Sequence, residues 1–327
     1  RLTVLLLILT AILIGFAPTI MSRTPLRNVV LNQLLQGTVI NGTITTESAR
    51  LSWLSPLDFR GVAVVSRSGQ PILTAGTLTS SQSLFSLVRG QTSDLGDFIV
   101  TDGTLTIGCR PDGTTLEDLL EPLFQPQEPP ESTPKSLRFR LENCRLHLTE
   151  SDKQEFLRLP LELLVTVSAV PQSPVSIVTT LGNATEGRIT CEVQVGPILE
   201  AKIHSEQFPT EQLGPLLRRF LPGTTLAGTL TSNGLIRWEE SLNSEQPPTL
   251  VVQGNYEFAN FFIEAPWLDG ETLTLKSLRC PLDLTLLGDR LDVTALEIIS
   301  DVGQLQAAGQ FSWEESPTIW LNQPGLS

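Results

Sequence analysis

Tyrosine and methionine occur once each in 327 residues, histidine twice, and aromatics make up only 6% of the chain. So thin an aromatic supply argues against a stacking platform for bases or sugars. Lysine is scarce as well, and a formal net charge of −13 with a pI near 4.7 argues against nucleic-acid binding and adhesion to anionic headgroups. Neither His147 nor His204 stands in a Ser/Cys–His–Asp arrangement, and the chain carries no G-x-S-x-G, H-E-x-x-H or P-loop motif. Carboxylates such as Glu192, Glu239 and Glu240 fall where solvent-facing strand positions or turns are expected. No catalytic residue and no cofactor is expected, so the chain reads as a non-enzyme.

The four cysteines, Cys109, Cys144, Cys191 and Cys280, lie far apart without CxxC or Cys/His metal spacing, so no metal site is expected. They read as small hydrophobes on strands. An oxidising compartment would allow one disulfide, with Cys109–Cys144 a candidate pair, but spacing does not decide it. Asn41-Gly42-Thr43 and Asn183-Ala184-Thr185 match glycosylation sequons, which are common by chance and carry no weight.

What the chain does have is an uncharged run from Leu2 to Ser22, followed by long stretches in which apolar and polar residues alternate. At 1.5 Å per residue, about 20 apolar residues cross a hydrocarbon core of roughly 30 Å, so residues 2–22 read as a transmembrane anchor. The competing reading is a cleaved signal peptide, whose apolar core is about 7–15 residues and precedes a small-x-small site. The longer core and the lack of such a site before Arg23 favour an uncleaved anchor. Arg23 and Arg27 after the span would favour a cytoplasmic C-terminal side, but one flank alone does not settle topology.

After the anchor, Leu26, Val29, Val30 and Leu34 have helical spacing. Strands then alternate at period two across Thr43–Thr45, Ala49–Trp53, Phe59–Val65, Phe98–Val100 and Thr104–Ile107, separated by turns at 55–58 and 68–71. Thr114 or Thr115 caps a helix whose Leu116, Leu119, Leu120, Leu123 and Phe124 share one face. Residues 125–136 form a proline-rich linker, poor in apolar residues. The expected organisation is an anchor over 1–22, a β module over 23–124, the linker, and a continuing sheet over 137–327 with an amphipathic helix near 209–221. In that last part Leu137, Phe139 and Leu141 alternate before a turn at Glu142-Asn143. Leu278, Cys280, Leu282, Leu284 and Leu286 share one direction, and Leu305, Ala307, Gly309, Phe311 and Trp313 do the same. An internal echo, L-x-G-T-x-x-x-G-T-φ-T, occupies 35–45 and again 221–231, each copy after a short helix and before a tryptophan (Trp53, Trp238).

With these pieces placed, the chain resembles the AsmA/TamB group of bacterial envelope proteins. The resemblance is carried by the N-terminal span; Gly42 to Trp53 running into Leu54-Ser55-Pro56-Leu57 and Phe59-Arg60-Gly61-Val62; Gly69-Gln70-Pro71-Ile72-Leu73; Ser83-Leu84; and Asp112-Gly113-Thr114 before a leucine-rich helix. It covers roughly residues 1–125; the proline-rich segment and the cysteines do not belong to the pattern. The resemblance implies an elongated, curled antiparallel β-sheet groove with an apolar floor. It also implies anchoring in the inner membrane, the bulk of the chain in the periplasm, and a part in moving phospholipid toward the outer membrane. At about 4.8 Å per strand, roughly 16 strands would build about 75 Å of groove. Phospholipid acyl chains, each CH₂ gaining about 0.8 kcal/mol by leaving water, are then the expected partner. The expected apolar lane includes Leu137, Phe139, Leu141, Val193, Val195, Leu282, Leu284 and Phe311. A closed, dry core is the plain alternative for the same residues. A scaffold docking an outer-membrane protein partner, or a stacked β-solenoid, are the alternatives for the whole chain.

Overall fold

The alternating pattern becomes sheet. The computed structural model describes residues 15–34, 41–67, 69–89, 94–124, 136–150, 153–170, 173–239, 247–312 and 321–322. The chain is mainly β, in long and largely antiparallel sheet with few short helices, and it divides into two compact units, 1–171 and 172–327.

Most of the expected anchor, residues 2–14, lies outside the described residues. Residues 15–23 are helical (α1) and continue after a short turn into α2 (Leu26–Leu34). Among the described residues no helix is long and apolar enough to cross a membrane. Both helices are tied to the first strand: the Leu51 amide donates to Ser22 Oγ (3.1 Å), Arg27 Nε to the Thr46 carbonyl (3.0 Å) and the Thr46 amide to Asn28 Oδ1 (3.1 Å). Val30 and Leu31 of α2 are buried.

The first unit orders its strands β1 (Gly42–Arg50), β2 (Leu57–Ser66), β3 (Pro71–Ser80), β4 (Asp94–Arg110), β6 (Ser136–Glu150) and β7 (Lys153–Val167), with the two-residue β5 (Gly113–Thr114) paired to β4. Helix α3 (Leu84–Val88) starts at Ser83 with a capping box closed by Ser86. Helix α4 (Thr115–Phe124) starts the same way: the Glu117 amide donates to Thr114 Oγ1, and the Thr114 amide donates to Glu117 Oε2. Leu119 of α4 is buried with Val64 and Ile72.

The structure departs from the expected antiparallel sheet between β4 and β6. β4 and β6 pair in parallel, Phe98 opposite Phe139 and Ile107 opposite Leu148. A parallel pair needs a long crossover, and the segment through β5, α4 and the proline-rich stretch supplies it. Residues 125–135 of that stretch lie outside the described residues; Ser136 opens β6 rather than closing a linker. The β4–β6 pairing joins the strands on either side of that stretch, and the division between the two units falls after β7.

Two expected interruptions are left-handed kinks inside single strands. Asp102 in β4 (φ 54°) and Asn143 in β6 (φ 52°) both take left-handed backbone, and the Asn143 side-chain amide donates to the Asp102 carboxylate. In β6 the kink is a bulge, one extra residue against β7, whereas β4 keeps its register with β3; neither strand ends, because Asp and Asn tolerate this conformation where other side chains resist it. The Glu142-Asn143 turn is therefore a bulge, and the strands at 98–100 and 104–107 are one strand.

The second unit orders β8 (Val175–Asn183), β9 (Gly187–Val195), β10 (Ile198–Pro209), β11 (Thr225–Glu239), β12 (Thr249–Glu264), β13 (Thr272–Leu287), β14 (Arg290–Ser300), β15 (Gln304–Ser312) and β16 (Leu321–Asn322), each antiparallel to the next. The helix expected near 209–221 is a 3₁₀ turn, η1 (Thr210–Leu213), followed by α5 (Gly214–Phe220). A second 3₁₀ turn, η2 (Pro266–Leu268), links β12 to β13. In the internal echo, residues 35–40 lie outside the described residues, but its second glycine has one structural reason in both copies. A Cβ on Gly42 would stand 2.5 Å from the Val65 carbonyl oxygen, and on Gly228 2.8 Å from that of Asn260.

Replacing Asn143 with valine forces a β-branched side chain into left-handed backbone. Asn143→Val is expected to lower unfolding free energy by about 1–3 kcal/mol, with Asn143→Gly costing clearly less. Chemical denaturation of both variants checks the difference; equal losses would mean that the side-chain bond to Asp102, not the backbone, decides stability there.

Candidate functional site: the apolar face of the second unit

In an antiparallel ladder, residues directly opposite each other project to the same face, so the register names the face residue by residue. One row runs Val175–Val195–Leu199–Trp238–Leu250–Leu286–Leu291–Phe311 across β8 to β15. The next runs Ile177–Val193–Ala201–Ile236–Val252–Leu284–Val293–Gly309. A third runs Thr179–Cys191–Ile203–Gly234–Gly254–Leu282–Leu296–Ala307. A fourth begins Leu181–Ile189–Ser205–Ser232–Tyr256–Cys280. Three rows are thus almost wholly apolar over eight strands, and the fourth carries hydroxyls at its centre.

The opposite face is polar and paired with itself. Arg188 Nη2 donates to Glu206 Oε2 (2.9 Å), Lys202 faces Glu200 (3.1 Å), Arg237 Nη2 donates to Glu239 Oε2 (3.3 Å) and Arg290 Nε to Asp292 Oδ1 (2.9 Å). Arg279 lies 3.3 Å from Glu257, and Gln253 Nε2 donates to Asp283 Oδ1 (3.1 Å). These side chains are largely exposed, so the pairs add little to stability; their effect is to keep one face wet. The Glu206 carboxyl is held below its ordinary range, first by the Arg188 hydrogen bond and then by His204.

The two units differ in what they do with their apolar faces. In the first, Leu57, Phe59, Phe98, Val100, Leu146, Leu148, Leu159 and Leu161 are all buried, a closed core. In the second, the buried hydrophobic side chains among the described residues are Phe208, Leu230, Phe261, Ala265 and Leu275, grouped at the end of the sheet near η1 and η2. Every residue of β8 is half-buried, Val195 is 41% exposed and Trp238 39%. Eight strands at about 4.8 Å by four alternate positions at about 6.7 Å give a face on the order of 1,000 Å², more than a monomer usually leaves open.

The eight expected lane residues fall into two groups. Val193, Val195, Leu282, Leu284 and Phe311 share the open face of the second unit through the rows above. Leu137, Phe139 and Leu141 share one face of β6 in the first unit, opposite Val167, Val165 and Leu163. Leu137 and Phe139 are half-buried, but Leu141 is 3% exposed and packs against protein. Residues missing from the sequence reading include Val175 and Ile177 of β8, Leu291 and Val293 of β14, and Leu199, Ala201, Ile203, Ile236 and Val252 of β10 to β12. For β10 and β11 the signal was present as period-two alternation in Ile198–Ile203 and Gly234–Trp238.

All four cysteines are in the reduced form, Cys109 and Cys144 buried, Cys191 and Cys280 half-buried on the open face. Burial raises the thiols of Cys144, Cys191 and Cys280, and raises the Tyr256 hydroxyl, with Cys280 adding to it. Among the described residues no three His, Cys, Asp or Glu side chains are placed to hold a metal ion.

The fold and face define a mainly β protein with a one-sided apolar sheet. No known family model matches the chain, and no curated protein matches it.

A carboxylate held low stabilises the fold above its ordinary pKa, and that contribution disappears as pH falls through the depressed value. Arg188→Ala is therefore expected to move the Glu206 carboxyl back up toward its ordinary value. A ¹³C NMR titration of the side-chain carboxyl reads this directly; an unmoved titration would show that Arg188 is not the main partner.

Proposed function

We propose that the open face of the second unit holds phospholipid acyl chains, and that the protein is a non-enzymatic carrier tethered to a membrane. The observation that supports this best is the register: eight consecutive strands place apolar residues on one half-exposed face while charged pairs occupy the other. A closed core would bury those residues, as the first unit buries its own. Acyl chains suit the face because it is long, continuous and almost free of polar groups, and each CH₂ laid on it gains up to about 0.8 kcal/mol.

The tether is the apolar run 2–22. Its described end supports this reading, since Phe16 is 61% exposed and Ile20 47% on the short helix 15–23. Taken with the resemblance to AsmA/TamB envelope proteins, the reading places the anchor in the inner membrane and the sheet in the periplasm. Phospholipid would then pass toward the outer membrane, supporting its biogenesis.

The test is photo-crosslinking of the full chain in cells labelled with radioactive phosphate. With p-benzoylphenylalanine in place of Leu284 or Val193, labelled phospholipid is expected to crosslink; in place of Gln253 or Asp283, on the polar face, it is not. Equal labelling from both faces, or labelling of a protein partner alone, would sink the lipid reading and favour a docking scaffold. Leu284→Asp, read by crosslinking from Val193, is expected to cut lipid capture about tenfold or more, because a carboxylate on the face must be desolvated by each acyl chain. Its stability should change little, since position 284 is only half-buried.

A further inference from the structure

The single tyrosine of the chain stands in the fourth row of the apolar face, between Ser232 and Cys280. Its ring does not stand up from the sheet. Gly234 and Gly254 are directly paired in the next row, and a Cβ built on Gly234 would lie 2.5 Å from the Tyr256 hydroxyl oxygen. On Gly254 it would lie 2.9 Å from Tyr256 Cε2. The ring therefore lies flat in a notch made by two missing side chains, with its hydroxyl over Gly234.

That position is apolar. Ile203 and Leu282 flank the glycine pair in its own row, and Ile236 and Val252 stand in the row beyond. The nearby hydroxyls are already engaged: Ser205 and Ser232 lie 2.7 Å apart, and Ser205 Oγ also reaches the Leu230 carbonyl at 3.2 Å. Among the described residues the Tyr256 hydroxyl makes no hydrogen bond. A phenol O–H turned to an apolar surface without an acceptor is unfavourable, and this one remains half-buried rather than sealed away. Acyl chains alone offer it nothing. The acceptor chemistry that belongs beside acyl chains is the ester carbonyl at their junction with glycerol.

We infer that Tyr256 is a specificity-determining residue that donates a hydrogen bond to an ester carbonyl of a glycerolipid lying on this face. The inference rests on the lipid reading of the face and deepens it: the glycine notch lays the ring down so that the lane stays open, and the hydroxyl marks where the glycerol ester sits. Hydrocarbon alone would be held without preference for position.

The experiment uses the full chain in mixed micelles containing equal amounts of diester and diether phosphatidylglycerol, with p-benzoylphenylalanine in place of Leu284 and crosslinked lipid identified by mass spectrometry. The ether lipid has the same chains and headgroup but no ester carbonyl. The expected result is a diester preference of about three- to tenfold, the size of one hydrogen bond, that falls close to one in Tyr256→Phe with total crosslinking retained. Gly234→Ala, whose new methyl displaces the hydroxyl, is expected to lose the preference as well. An unchanged diester ratio in both variants, or no preference in the parent chain, would overturn the role of Tyr256 while leaving the lipid face standing. Absence of any lipid crosslink from Leu284 would overturn both.

Discussion

The second unit depends on the register of its backbone ladder. Successive side chains on a strand point to opposite faces, so a slip of one residue on any strand would carry Val252 or Leu284 to the wet side and a charged residue to the dry side. Eight strands keep the same parity, and short turns hold β8 to β9, β9 to β10, β13 to β14 and β14 to β15 in step. The self-paired charges on the wet face add to this constraint, because Arg188–Glu206 and Arg237–Glu239 would have to be desolvated if their strands slipped.

Bulges are how that parity survives the crowded end of the sheet. Gln207 (φ 46°), Gly228 (φ 124°) and Asn260 (φ 52°) mark irregularities in β10, β11 and β12, and beyond the first of them Phe208 still meets Leu230. The sheet bends locally there and receives η1, with Thr210 Oγ1 donating to the Gly228 carbonyl. The same device in the first unit, Asp102 beside Asn143, lets the parallel pair β4–β6 carry an apolar face past a kink. A left-handed residue in these strands thus preserves facing where a regular strand would invert it.

The two units use one pattern for different ends. In the first, α2 contributes Val30 and Leu31 to the core and α4 contributes Leu119, and the core is closed. In the second, α5 is only seven residues long and the rows from Val175 to Phe311 stay half-open. Closure in one unit gives a stable body; openness in the other leaves an apolar face half-exposed.

Period-two alternation was enough to read the β class, strands such as β2, β6 and β13, and the shared direction of Leu278 to Leu286, because side-chain parity along one strand is local. The capping signal at Thr114 was legible for the same reason: each of its bonds spans three residues. Alternation does not say which strand lies beside which, so the parallel pairing of β4 with β6 escaped it. A turn signal at Glu142-Asn143 also reads alike whether the chain reverses or bulges. Nor does it say whether an apolar face is covered. Leu141 and Leu284 look identical in sequence, yet one is sealed in a core and the other lies open, because burial depends on what packs against a residue from far along the chain. The bed of Tyr256 was hidden likewise, since two glycines twenty residues apart become neighbours only through the β11–β12 register.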